Sequence, residues 1–137
     1  MKICSTTQWL ELVERRLGLW VDVSSQTVHV IQAETPLAHF PCSTSRLGTG
    51  QIEGSHQTPL GWHEVVDKVG EGAAWGQVFR GRKPVDRIWQ RGEDTNEDLI
   101  LTRILVLGGL EPGFNQGGNV DTRSRYVYFH GTNWEEQ

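Results

Sequence analysis

Leu99-Ile100-Leu101-Thr102-Arg103-Ile104-Leu105-Val106-Leu107 is the most hydrophobic run of the chain, and its aliphatic and β-branched residues predict a strand at the centre of a sheet. Around it lie further strand candidates. Trp62-His63-Glu64-Val65-Val66-Asp67-Lys68-Val69 and Gln77-Val78-Phe79-Arg80 precede it, and Arg125-Tyr126-Val127-Tyr128-Phe129-His130 follows. Nearer the start, Leu19-Trp20-Val21-Asp22-Val23 and Thr27-Val28-His29-Val30-Ile31-Gln32 flank Ser24-Ser25-Gln26, which reads as a hairpin. A third run from Leu37 to Thr44 extends the hairpin to a meander, with Pro41 confining it to an edge or a bulge. Helical spacing is confined to Ser5–Leu17, where Leu10, Val13 and Leu17 fall at i, i+3 and i+7 before Gly18. The Gly-, Ser- and Thr-rich segment from Gly48 to Gly61 reads as a long ordered loop, the kind that borders binding sites. The expectation is a mainly β sandwich or barrel-like domain with a short N-terminal helix in residues 1–18 and no internal repeat.

The length of 137 residues fits one domain. With 36% hydrophobic residues, 22% charged and six Trp, the chain has enough apolar material to bury a core. Thirteen Lys and Arg against 17 Asp and Glu give a net charge of −4, without the basic footprint of a nucleic-acid binder. No apolar run approaches the ~18 residues of a membrane span. Nor does the sequence from Met1 to Trp9 carry the apolar stretch of a secretory signal. Cys4 and Cys42 form no C-x-x-C pair, so cysteine usage leaves the redox compartment open.

Few motifs carry chemistry on their own. Gly48-Thr49-Gly50-Gln51-Ile52-Glu53-Gly54 and Gly70-Glu71-Gly72-Ala73-Ala74-Trp75-Gly76 are one residue too long for a dinucleotide fingerprint and open no helix; turns explain them. His29, His39, His56, His63 and His130 show no H-x-H or H-x-x-x-H spacing, so a metal is not expected. His130 stands apart, a titratable group ending a strand and followed by Gly131 and Thr132, which makes it the candidate base. Cys42 is the thiol to weigh as its nucleophile, against the plainer reading of a small hydrophobe in a strand.

Val21-Asp22-Val23-Ser24-Ser25-Gln26-Thr27-Val28-His29-Val30, Phe40-Pro41-Cys42-Ser43-Thr44-Ser45, Thr58-Pro59-Leu60-Gly61-Trp62-His63, Val78-Phe79-Arg80-Gly81-Arg82 and Ser124-Arg125-Tyr126-Val127-Tyr128-Phe129-His130-Gly131-Thr132-Asn133 occur in a telling order. In that order they resemble the YkuD-type (ErfK/YbiS) L,D-transpeptidases, over residues 19–137. The resemblance implies a bacterial cell-wall enzyme of the envelope or periplasm. Such an enzyme cleaves a peptidoglycan stem tetrapeptide before its terminal D-alanine and passes the acyl group, through a cysteine thioester, to an amine. It further implies His130 as catalytic base, Gly131, Thr132 and Tyr128 as substrate-binding residues, and no cofactor. The family's second element, an S-H-G-C segment with the nucleophile, does not occur in these 137 residues. The sequence therefore reads as a family domain incomplete at its C-terminus and inactive alone. A peptidoglycan-peptide binding domain without catalysis is the alternative, and a Cys42–His130 hydrolase a third. An incomplete β domain also leads us to expect self-association through an unpaired edge at the strand ending in His130.

Overall fold

The computed structural model describes residues 17–33 and 35–134, which divide into two compact units meeting at Gly48 and Thr49. The first holds β1 (Leu17–Asp22), β2 (Thr27–Gln32) and β3 (Thr35–Pro41), an antiparallel sheet in the order β1-β2-β3. The hairpin between β1 and β2 is set by Asp22. Its carboxylate accepts from the Ser24 N–H at 3.0 Å, the Ser24 hydroxyl at 2.7 Å and the Ser25 N–H at 3.3 Å, an Asx turn. Those bonds favour the charged form and hold its pKa below the ordinary value. Gln26 then fastens the chain beyond β3 to this turn, donating to Thr44 Oγ1 and accepting from the Thr44 N–H. Pro36 and Pro41 sit in β3, at the edge of the sheet, where the missing N–H disturbs no central ladder.

The helix expected over Ser5–Leu17 lies outside the described residues except for Leu17, which is strand. Leu17 and Gly18 pair with Gln32 and Ile31, so the β segment starts before the expected boundary at Gly18.

The second unit holds β4 (His63–Val69), β5 (Gln77–Arg80), β6 (Lys83–Ile88), β7 (Ile100–Gly109) and β8 (Tyr128–Gly131). The order is β4-β7-β5-β6, with β8 also on β7, so β7 is the central strand that its hydrophobicity predicts. Both faces of this sheet carry buried residues. Val78, Trp89, Leu99 and Leu101 form one core cluster; Phe79, Ile104 and Val106 form the other. Adjacent residues of β5 and of β7 thus serve opposite clusters, as period-two side chains must, and this is why the run from Leu99 to Leu107 is apolar without alternation. Thr102 and Arg103 interrupt it at an irregularity. Thr102 has φ 70°, the register with β8 shifts between Leu101 and Ile104, and the Arg103 guanidinium turns back to the Ala73 and Thr102 carbonyls.

Lys83–Ile88, which the sequence did not mark as a strand, is the edge strand β6, tied to its surroundings by Arg87, which donates to Glu93 at 2.7 Å and Glu97 at 2.6 Å. One expected boundary needs correction. The last strand starts at Tyr128 rather than Arg125; Tyr126 takes φ 58°, a left-handed conformation that breaks the extended run ahead of it. The mainly β expectation stands as two antiparallel sheets. Among the described residues the helical structure is the 3₁₀ turn Gly118–Val120.

Candidate functional site

His130 rides on β8, whose aromatic residues Tyr128 and Phe129 pair with Val106 and Leu105 of β7 while His130 pairs with Ile104. Tyr128 is partly buried against Phe79, Ile104 and Val106, and that burial pushes its phenol pKa up. It thus anchors the strand from the core side. His130 is exposed. Its Nδ1 lies 2.8 Å from the Gly131 carbonyl oxygen. A carbonyl only accepts, so Nδ1 carries the hydrogen and the neutral ring presents Nε2 as its basic atom. A general base needs an unprotonated ring nitrogen within reach of the proton it takes, which Nε2 offers in this tautomer.

Thr132 and Asn133, just beyond the strand, are tied down as well. Thr132 Oγ1 accepts from the Trp134 N–H at 3.1 Å. Asn133 accepts from the Leu99 N–H at 2.8 Å and donates to the Glu97 carbonyl at 2.9 Å, linking this segment to the entry of β7. Sequence reasoning passed over Asn133, although it directly follows His130-Gly131-Thr132. The resemblance implied Gly131 as a substrate-binding residue. In the structure the space where a side chain would stand faces β7, since an added Cβ would lie 2.7 Å from the Leu101 carbonyl oxygen. Gly131→Ala should therefore push β8 off β7, cost about 1–3 kcal/mol by overpacking and move the His130 ring. A lowered melting temperature with a shifted His130 imidazole resonance checks this; an unshifted resonance would show that the base does not depend on the close approach.

His63 is engaged at both nitrogens. Nδ1 donates to the Gly61 carbonyl at 3.0 Å, and Nε2 accepts from the hydroxyl of the fully buried Thr122 at 2.8 Å. Burial lowers its pKa from 6.5, against smaller opposing effects of the Gly61 carbonyl and Glu111. With the folded-state pKa depressed, the unfolded chain binds the extra proton first, so stability falls as pH drops below about 6.5. His63→Gln should flatten the loss of stability between pH 7 and pH 5, measured by urea unfolding; an unchanged slope would assign that loss to other groups.

Of the other candidates, Cys42 lies in the first unit and His130 in the second. Burial, followed by the charge of Asp22, raises the Cys42 thiol pKa, the opposite of what a nucleophile needs. Cys4 lies outside the described residues. The two glycine-rich stretches form turns without a helix. No three His, Cys, Asp or Glu side chains converge among the described residues, and no described helix is long and apolar enough to cross a membrane.

The long loop borders a cleft of about 210 Å³, lined by Glu53, Gly54, His56, Ser124, Arg125 and Tyr126. Arg125 holds loop and cleft together, donating to the Gly50 and Gln57 carbonyls at 3.2 and 2.7 Å. Arg82 stands over the exposed Tyr126 ring at 5.7 Å. This cleft immediately precedes β8 in sequence. A family model, YkuD, the L,D-transpeptidase catalytic domain, matches residues 17–137. No curated protein and no solved structure matches the chain.

Proposed function

Because the chain belongs to the YkuD family of L,D-transpeptidase catalytic domains, we propose that it handles peptidoglycan stem peptides in the cell envelope, with His130 as the base of a cysteine acyl transfer. The observation carrying this reading is the Nδ1 contact to Gly131, which leaves Nε2 available to a thiol. In the proposed cycle Nε2 takes the proton of the family's S-H-G-C thiol. The thiolate then attacks the carbonyl of stem residue three, and nearby backbone N–H groups stabilise the oxyanion. The C–N bond to D-alanine breaks as the imidazolium returns the proton to the leaving amine. An acceptor amine next loses its proton to Nε2, attacks the thioester and releases the thiol. We place the donor peptide in the cleft before β8, since Tyr126 and His130 are at most ~14 Å apart along the chain.

Neither Cys4 nor Cys42 stands in an S-H-G-C context. The 137-residue polypeptide by itself is accordingly proposed to be silent in catalysis, while still binding stem peptides. Titrating a tetrapeptide muropeptide into the 137-residue chain tests this binding. Shifts of the His130, Thr132 and Tyr126 resonances are expected without release of D-alanine, and shifts confined to other residues would move the site elsewhere. Among the described residues β8 pairs with β7 alone, and we propose that its other edge pairs with a second copy. Sedimentation velocity should show concentration-dependent association; a strict monomer at all concentrations removes this proposal.

A further inference from the structure

In the first sheet, Trp20, His29 and His39 stand in one row, Trp20 opposite His29 and His29 opposite His39. Directly opposed residues of antiparallel strands share a face. The ring centroids are 5.9 Å apart between Trp20 and His29 and 6.1 Å between His29 and His39, the two imidazoles tilted by 38°. Trp20 is 59% exposed and His39 is exposed, so the row is open to solvent. The cycle proposed for His130 uses none of these residues.

We propose that His29 and His39 form a two-imidazole site for a divalent transition metal of the nickel, copper and zinc group, water completing its coordination. Imidazole nitrogen suits these ions and not magnesium or calcium, which prefer oxygen. With metal–nitrogen bonds of about 2.1 Å, two rings sharing one ion stand roughly 5 Å apart. The observed 6.1 Å closes by modest side-chain rotation, since the terminal torsion of His is broad. The spacing of histidines in sequence hides such a site, because the two ligands are ten residues apart and only the β2–β3 register brings them together. A bound ion would clip β3, the edge strand with two prolines, to β2. Because the unfolded chain lacks this juxtaposition, the ion would stabilise the folded form.

The test is a titration of the 137-residue chain with NiCl₂, followed by calorimetry, thermal melting and tryptophan emission. One ion per chain, a raised melting temperature and no response to MgCl₂ are expected. His29→Gln and His39→Gln should each weaken binding at least the ~10-fold that even an outer-shell partner is worth, whereas Cys42→Ser should leave it unchanged. Trp20→Phe should keep the stoichiometry and lose most of the saturable quenching, because Trp20 is the indole beside His29. Should a histidine variant not fold, nickel protection of His29 and His39 from diethylpyrocarbonate in the unaltered chain replaces it, read by peptide mass. Absence of saturable nickel binding, unchanged affinity in the folded His29→Gln and His39→Gln variants, or modification of both histidines indifferent to nickel would overturn the proposal.

Discussion

His130→Ala, made in a polypeptide joining these 137 residues to the family's S-H-G-C segment, is expected to lower D-alanine release from a tetrapeptide muropeptide by ~10²–10⁴-fold, the usual worth of general-base assistance. The loss should fall on kcat, because the imidazole acts on the proton being transferred rather than on substrate binding. Its effect on folding should be small, since the ring is exposed and its hydrogen bond is to the adjacent Gly131 carbonyl. An unchanged turnover in the folded variant would remove His130 from the chemistry while leaving the family assignment intact.

Asn115 is where the largest loss of stability is expected. It is fully buried, accepts from the Glu111 N–H at 2.9 Å and donates to the Leu60 and Trp62 carbonyls at 3.1 and 2.9 Å. One side chain thereby ties the end of the long loop and the start of β4 to the turn after β7. Both carbonyls keep a second donor, Gln51 Nε2 for Leu60 and the Leu110 N–H for Trp62, so Asn115→Ala chiefly orphans the Glu111 N–H and opens a cavity. The cost should be about 2–4 kcal/mol, a large part of the ~5–15 kcal/mol that holds a domain together. Asn115→Asp should cost at least as much. It keeps an acceptor for Glu111 but sets a buried carboxylate against two carbonyl oxygens. Urea unfolding measures both, and a loss below ~1 kcal/mol in either would mean that the turn is held by its backbone bonds alone.

How far the sequence reveals this molecule depends on what each residue answers to. Leu99–Leu107 was legible because both faces of β7 are buried, so hydrophobicity alone marks it as central. Lys83–Ile88 was not, because β6 lies at an edge, where Pro84, Asp86 and Arg87 are tolerated and blur any alternation. The strand ending at His130 was read three residues too long, since nothing in Arg125-Tyr126-Val127 announces the left-handed Tyr126. Within the site, His130-Gly131-Thr132 was visible as a motif, whereas the reason for Gly131 is a carbonyl thirty residues away on β7. Asn115, Arg125 and Asn133 act on backbone groups remote in sequence, a relation with no periodicity to detect. The Trp20, His29 and His39 row escaped for the same reason, being a product of strand register.

Carbapenems acylate the nucleophile of the L,D-transpeptidases that this chain resembles, so intact-mass spectrometry after carbapenem treatment bears on the central proposal most directly. The 137-residue chain should keep its mass. Burial raises the pKa of its Cys42 thiol, the opposite of the activation a nucleophile needs. The polypeptide extended by the S-H-G-C segment should gain one adduct, mapped to the cysteine of that segment and formed far more slowly in His130→Ala. An adduct on Cys42 in the 137-residue chain, or one on the extended polypeptide whose rate ignores His130, would contradict it.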